Sequence, residues 1–302
     1  MKISAVETIL VDAGGRNHCF VQVHTDAGLT GLGEAYSVGP DRATAEVIDY
    51  LAQWLVGLDP LDIEGLWQRL YIGSRFPGGV VINAAISGID IALWDLKGKA
   101  LDVPVYQLLG GKCRERIRVY EAAHGPDTNS LVEFAERQVK RCGFTAVKAN
   151  PLPDDVDQLG WTEVLRQVDR RMALLRHRLG DQAEIALDPH AKLLEPSKAV
   201  ELCQVLEPYH PLFVEEPLRP ENMDALAQVR AKVRVPIATG EMLFTKWEFG
   251  NLLRQRAVDV VQPDVCLCGG LTELKKIAAL AEGEYVTVAP HNPLGPVSTA
   301  AS

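Results

Sequence analysis

The chain has 302 residues, of which 47% are hydrophobic and 24% are charged, so it can bury a large core in one big domain or two unequal ones. Its formal net charge of -9 is spread without basic blocks, which disfavours nucleic acid and membrane surfaces as partners. The N-terminus lacks the apolar core of a signal peptide, and no run approaches the roughly 18 apolar residues that span a bilayer. We therefore predict a cytoplasmic protein. The six cysteines form no CxxC pair and are predicted to be free thiols.

The N-terminal part of the chain predicts a separate α+β domain. Three runs have the composition of strands and indicate a small antiparallel meander: KISAVETILV, CFVQVHT and TGLGEA. Three later segments carry apolar residues at helical spacing: RATAEVIDYLAQWLVG, PLDIEGLWQRLY and NAAISGIDIALWDLKGKAL. Strands followed by a run of helices are typical of an α+β domain, which we assign to residues 1–113.

The sequence pattern changes after that domain, since short β-rich runs alternate with helical patterns over residues 114–302. There are seven such runs: RIRVYEAA, FTAVKAN, AEIALD, PLFVEE, VPIATGE, AVDVVQPD and YVTVAPH. Nearly continuous apolar strands separated by helices indicate a parallel sheet that is buried on both faces. The predicted fold class is therefore α/β, with a modified TIM (β/α) barrel of seven recognisable strands following the N-terminal domain.

Polar residues close six of the predicted barrel strands. They are Lys148, Asp188, Glu215, Glu241, Asp264 and His291. The last five are separated by 27, 26, 23 and 27 residues, which is about one strand and one helix each. In a barrel these positions converge on the mouth where active sites lie, so independent helix capping at all six is an improbable explanation.

Three of these strand ends are carboxylates that would meet: Asp188, Glu215 and Glu241. At about 4 Å and an effective dielectric of 20, each like-charge pair costs roughly 4 kcal/mol, so a divalent cation is needed to relieve the repulsion. Oxygen ligands without nearby thiolates suit Mg²⁺, whereas zinc prefers nitrogen or sulfur. The pattern predicts a Mg²⁺ site.

His291 follows Asp264 by one predicted strand, which brings the two side chains within hydrogen-bonding reach in a barrel. A carboxylate at one ring nitrogen fixes the tautomer and favours proton uptake at the other. We therefore predict that His291 is a general base and that Asp264 orients it. A satisfied core histidine is the alternative, which the neighbouring carboxylates make less probable.

Several motifs together resemble the enolase superfamily, in its mandelate racemase subgroup, and within it the galactonate dehydratase-like sugar-acid dehydratases. The barrel motifs are VKAN, LDPH, FVEEP, ATGE, VVQPDV with GGLTELKKIA, and APHNPLGP. The N-terminal motifs are GxGEA at 31–35 and SGIDIALWDLKGKALDVPVYQLLGG at 87–111. This resemblance covers nearly the whole chain and implies that residues 1–113 form a capping domain.

The resemblance implies that Asp188, Glu215 and Glu241 hold Mg²⁺, while His291 removes the α-proton of a small-molecule sugar acid. On an extended strand His190 would have the same side-chain direction as Asp188, so it could protonate a departing β-hydroxyl. The product would be a 2-keto-3-deoxy acid.

Lys148, Asn150 and His124 are the remaining candidates. Lys148 is expected to offset charge on the substrate carboxylate, and Asn150 stands where the mandelate racemase pattern has a second lysine, which weakens two-sided proton transfer. Asn150 and His124 are candidate substrate contacts.

Two alternatives remain beside the dehydratase: a racemase or epimerase of a hydroxy acid, and a truncated, inactive metal-binding scaffold. The second arises because members of the family continue through an eighth strand and a C-terminal tail, which we expect to be missing from this chain. The family also commonly forms dimers or octamers, so a homo-oligomer is expected.

Overall fold

The computed structural model describes residues 1–302 and divides them into two compact units. The first unit comprises Met1–Cys113, Gly240–Asn251 and Gln262–Ser302. The second unit comprises Arg114–Thr239 and Leu252–Val261. The predicted domain boundary after residue 113 stays a prediction.

The N-terminal strands of the first unit form an antiparallel sheet in the order β1-β2-β3, as the meander pattern predicts. They are β1 Ile3–Asp12, β2 Asn17–Thr25 and β3 Thr30–Ala35. In β2 the alternate residues Cys19, Val21 and Val23 are fully buried, which is the period-two burial of a strand with one covered face. Their side chains belong to the hydrophobic core of this unit.

Four helices follow the sheet: α1 Asp41–Ala52, α2 Ile63–Gly73, α3 Val80–Leu101 and α4 Val105–Leu108. The long helix α3 packs against β3 and is buried over most of its length. A Cβ atom added at Gly33 would lie 2.0 Å from the carbonyl oxygen of Gly88, so β3 approaches α3 at a distance that only glycine permits. This close approach fixes β3 on the helix.

The second unit alternates strands with helices. Its strands are β4 Glu121–Ala123, β5 Ala146–Ala149, β6 Glu184–Leu187, β7 Val214–Glu215, β8 Ile237–Thr239 and β9 Val260–Val261. The helices between them begin with α5 Thr128–Arg137, α6 Trp161–Leu179, α7 Pro196–Leu206 and α8 Met223–Arg230. All pairings from β4 to β9 are parallel and follow chain order.

The later elements are α9 Thr245–Arg254, α10 Gly270–Gly283, β10 Thr287–Val288 and α11 Pro296–Ala301. The six strands from β4 to β9 follow one another in chain order in a parallel sheet. The predicted α/β fold, an antiparallel N-terminal sheet followed by a parallel (β/α) sheet, is therefore confirmed. All six cysteines are free, and none of the helices combines the length and apolar content that crossing a membrane requires.

Candidate active site

Asp188 and Glu215 lie at the carboxyl ends of neighbouring parallel strands. Asp188 follows the last residue of β6 and Glu215 is the last residue of β7. Their side chains are 2% and 0% exposed, although both are ionisable. Buried carboxylates are costly unless a positive charge or hydrogen bonds compensate them, so a cation is expected beside them.

Lys148, on β5, supplies one such charge. Its Nζ atom lies 2.8 Å from Oδ2 of Asp188 and 2.6 Å from Oε1 of Glu215. Burial acts to lower the pKa of Lys148, but the Glu215 and Asp188 carboxylates outweigh it and hold that pKa above its usual value. The lysine is therefore a permanent cation against two of the three predicted metal ligands.

His190 reaches Asp188 through a turn, so the extended strand expected there is wrong. Strand β6 ends at Leu187, and His190 has a φ of +53° in the left-handed region. The carboxylate of Asp188 accepts a hydrogen bond of 2.8 Å from the backbone N–H of His190, which closes the turn. This turn brings Nε2 of His190 to 3.1 Å from Oδ2 of Asp188 while 57% of the histidine side chain stays exposed.

Asn150 and His124 line the same cavity as Lys148, Asp188 and His190, with a volume of about 280 Å³. Oδ1 of Asn150 accepts a hydrogen bond of 2.9 Å from the backbone N–H of Leu152. Its Nδ2 atom then lies 3.5 Å from Nδ1 of His190.

His124 is held against the ring of Phe134, with ring centroids 4.2 Å apart. Its Nδ1 atom lies 3.2 Å from the carbonyl oxygen of Ala122, which can only accept a hydrogen bond. Nε2 is thereby left as the acceptor of the neutral ring. His124 and Asn150 together present one acceptor and one donor to the cavity, which suits a hydroxylated ligand.

The first unit contains a second imidazole and carboxylate pair, Asp264 and His291. Asp264 is fully buried, and its Oδ1 atom accepts a hydrogen bond of 2.8 Å from the backbone N–H of Cys266. Its Oδ2 atom lies 2.8 Å from Nδ1 of His291. Because a carboxylate only accepts, Nδ1 is the donor, and Nε2 is directed to Glu241 at 3.1 Å.

Each of the three predicted metal ligands, Asp188, Glu215 and Glu241, offers a carboxylate oxygen, and Asp188 and Glu215 are buried. Oxygen donors of this kind suit a hard divalent cation. The donor set fits Mg²⁺, and the role of these residues as its ligands stays a prediction.

Arg171 supports the cavity from α6 but has no signal in the strand-end pattern. Its Nη1 atom donates to the carbonyl oxygens of Asn150 and Leu152 at 3.0 and 2.6 Å, and its Nε atom donates to Thr128 at 3.1 Å. It therefore holds the backbone on which Asn150 sits. A helical arginine is usually a surface residue, so the sequence pattern alone did not single it out.

Tyr36 is also outside the strand-end pattern, although it directly follows the GxGEA motif. Burial raises the pKa of Tyr36 to about 12, and the Asp264 and Glu241 carboxylates act in the same direction. Its backbone N–H donates to the carbonyl oxygen of Cys266 at 3.1 Å. The motif beside it is the signal that could have identified this residue.

Comparison with known proteins matches both parts of the chain to one family. Residues 5–110 match the N-terminal domain of the mandelate racemase / muconate lactonizing enzyme family, and residues 130–302 match the enolase C-terminal domain-like family. The chain belongs to the enolase superfamily.

Three relatives show how close this superfamily member is to known proteins. The D-galactonate dehydratase of Ralstonia nicotianae is 41% identical over 285 residues, which are 93% of this chain and 73% of the relative. A crystal structure of an enolase from Agrobacterium radiobacter with sodium and L-malate bound has a TM-score of 0.95 and 42% identity, over 99% of this chain and 76% of that one. The 3,6-anhydro-D-galactonate cycloisomerase of Zobellia galactanivorans has a TM-score of 0.89 and 33% identity, over 100% and 83%.

Proposed function

We propose that this enolase-superfamily protein is a Mg²⁺-dependent dehydratase of a sugar acid, an aldonate such as galactonate. Its similarity to D-galactonate dehydratases over 93% of the chain identifies it as a hydro-lyase. The observation that carries the finer proposal is an imidazole beside each of two predicted metal ligands. His291 lies 3.1 Å from Glu241, and His190 lies 3.1 Å from Asp188.

Asp188, Glu215 and Glu241 would hold the Mg²⁺ ion. When bound, Mg²⁺ supplies positive charge that binds the substrate carboxylate and stabilises the negative charge that develops as the α-proton leaves. Lys148 contributes a further positive charge beside the Asp188 and Glu215 carboxylates. In this proposal Lys148 also faces the substrate carboxylate and offsets part of its charge.

His291 would remove the α-proton through Nε2. The hydrogen bond from Nδ1 to Asp264 keeps the other nitrogen unprotonated in the neutral ring and stabilises the imidazolium that forms when the proton arrives. Because Asp264 is itself bonded to the backbone of Cys266, the base is held in one orientation.

His190 would protonate the leaving β-hydroxyl, which departs as water. Its ring is more than half exposed and borders the cavity, so it can reach a substrate hydroxyl. Loss of the α-proton and the β-hydroxyl leaves an enol, which tautomerises to the 2-keto-3-deoxy acid. Asn150 and His124 would bind hydroxyls of the sugar chain.

A product assay tests this proposal. The purified chain is incubated with Mg²⁺ and a panel of aldonic and aldaric acids, and keto acid is detected as its semicarbazone. We expect one aldonate to give keto acid and an added chelator to abolish the signal. Absence of keto acid with every acid of the panel contradicts the proposal.

A racemase or epimerase is the second candidate, since the fold also serves a cycloisomerase in Zobellia galactanivorans. Against it stands Asn150, a neutral amide where two-sided proton transfer needs a second base. Proton NMR distinguishes the two, because an isomerised acid keeps its oxygen atoms whereas a keto acid has lost water. Assembly into a dimer or octamer and cytoplasmic residence stay predictions, and light scattering would measure the first.

A further inference from the structure

Glu34, near the end of β3, is a fully buried carboxylate that the proposed chemistry does not use. Its Oε1 atom accepts a hydrogen bond of 2.8 Å from the backbone N–H of Gly295, and its Oε2 atom accepts one of 2.9 Å from Ser298. Nδ1 of His18 lies 3.2 Å from Oε1. The N-terminal sheet therefore supplies a negative charge to the segment that follows His291.

The same segment is restrained at further points. Arg16 donates to the carbonyl oxygen of Pro293, and the side chain of Asn292 bonds to Ser298 at 2.8 Å and to Thr299 at 3.0 Å. A Cβ atom at Gly295 would lie 2.7 Å from Oε1 of Glu34, so the backbone approaches the carboxylate as closely as a glycine allows. Glu34 therefore anchors the segment 292–298 through its hydrogen bonds to Gly295 and Ser298.

The end of β3 also supports the partner of His291. The backbone N–H of Tyr36 donates to the carbonyl oxygen of Cys266 at 3.1 Å, and the N–H of Cys266 donates to Asp264. Glu34 and Tyr36 are two residues apart at the end of β3. Glu34 bonds to the segment after His291, and Tyr36 bonds to Cys266, which in turn bonds to Asp264. Gly33 packs directly on α3, so the end of β3 is held against that helix.

We infer that Glu34 is a positioning residue for the proposed general base, acting through the segment from Asn292 to Ser298. This inference rests on the proposed function of His291. Displacing a reacting group by about 1 Å can reduce a rate about 100-fold, so loss of the carboxylate should slow the reaction without weakening substrate binding. Glu34 would then affect kcat without contacting the substrate.

The test variant is Glu34→Gln, because it keeps the size of the side chain but presents an amide N–H where a carboxylate oxygen accepted. Glu273→Gln is the matched control. Glu273 is a fully buried glutamate of the same unit that bonds to Lys246 and Lys276 and does not contact the Asp264 and His291 pair. Both variants lose a buried charge, and only Glu34→Gln loosens the segment after His291.

Two measurements are made on each variant with Mg²⁺ present. By hydrogen exchange, we expect the amides of residues 292–298 to exchange about tenfold faster in Glu34→Gln and at the wild-type rate in Glu273→Gln. In the keto acid assay, we expect kcat of Glu34→Gln to fall about 10- to 100-fold with KM within about twofold, and kcat of Glu273→Gln to stay within about twofold.

Unchanged exchange in Glu34→Gln overturns the inference, and so does faster exchange with an unchanged kcat. A rise in KM equal to the loss of kcat/KM also overturns it, because Glu34 would then act on binding. If the wild type forms no keto acid from any acid, the proposed function fails by itself. The exchange comparison still decides whether Glu34 holds the segment, since it does not depend on activity.

Discussion

The two histidines of the proposed chemistry each lie beside a carboxylate, but the two pairs differ in burial and in backbone conformation. His291 is 13% exposed and bonds to Asp264, which is fully buried and held by a backbone N–H. His190 is 57% exposed and lies beside Asp188 on a turn with left-handed backbone. Only the first pair has an imidazole nitrogen bonded to a carboxylate that is not among the predicted metal ligands.

Under the proposed function, the two imidazoles would serve opposite proton transfers. A base must be oriented before the substrate arrives, and the buried partner of His291 would provide that orientation. An acid that meets a leaving hydroxyl must reach the substrate, and the exposure of His190 would provide that access. The proposed roles therefore rest on burial and on the second partner of each ring, which a motif does not encode.

The largest expected effect comes from removing the buried imidazole. His291→Asn should lower kcat by about 10³- to 10⁴-fold, because general-base catalysis is lost while the carboxylates remain. The keto acid assay measures this, and loss of α-proton exchange with D₂O in NMR confirms that the first step has stopped. His24→Asn is the control, since that histidine lies on β2 and bonds to Thr30. A His291→Asn enzyme with near wild-type turnover contradicts the role of His291.

Removing the exposed imidazole of His190 should affect elimination but not α-proton exchange. We expect His190→Asn to reduce keto acid formation by about 10²- to 10³-fold but to retain exchange of the α-proton with D₂O, because the base is intact and only the acid is missing. Proton NMR follows both events in one sample.

His210→Asn is the matched control for this variant. His210 has a φ of +47°, close to that of His190, and asparagine tolerates the left-handed region at both positions. Equal loss of exchange and elimination in His190→Asn would show that the two histidines do not divide the reaction.

A smaller effect is expected from Asn150, the amide beside the exposed imidazole. Asn150→Ala removes the contact with His190 and the hydrogen bond to Leu152, and should lower kcat/KM about 5- to 10-fold. Asn222→Ala is the control because Asn222 accepts a comparable backbone hydrogen bond from Ala225 at the start of α8. If both variants lose the same activity, Asn150 acts only on stability.

The smallest effect on activity is expected at Asp90, a buried carboxylate without an imidazole partner. Burial raises the pKa of Asp90 to about 7, although hydrogen bonds from Thr272 act in the opposite direction. The carboxyl group of Asp90 thus keeps its proton in the folded state at pH values where the unfolded chain, with a pKa near 4, has released it. The contribution of Asp90 to the free energy of unfolding is present below about pH 4 and is lost as pH rises through about 7.

The stability change at Asp90 can be measured by urea unfolding at pH 5 and pH 8. A shift of about three pKa units corresponds to a few kcal/mol, so wild-type unfolding free energy should fall by that order and Asp90→Asn should show a flatter pH dependence. Keto acid formation by the variant should remain within about twofold. A parallel pH dependence in both proteins contradicts this account.

The strand-end pattern predicts candidate site residues because each parallel strand followed by a helix occupies a nearly constant length of chain. That spacing places Lys148, Asp188 and Glu215 at the ends of neighbouring strands, where their side chains are in contact. The residues that shape their surroundings could not be predicted in this way. Arg171 acts from a helix, and Glu34 acts from another sheet, so their contacts depend on long-range packing.

The predicted strands were also longer than the observed ones. The run RIRVYEAA contributes only Glu121–Ala123 to β4, since Ile117 and Val119 before it are largely exposed. Their β-propensity was real, but no neighbouring strand pairs with them. At His190 the Asp-Pro turn overrode the extended conformation, because the Asp188 carboxylate bonds to the backbone of His190.

The ammonium of Lys148 has a consequence for how the centre is assembled. Because this ammonium neutralises part of the charge of Asp188 and Glu215, we expect the polypeptide to fold without a metal ion, unlike small zinc domains that fold only around their metal. At the proposed Mg²⁺ site, ion uptake and release would then be reversible events on a folded chain.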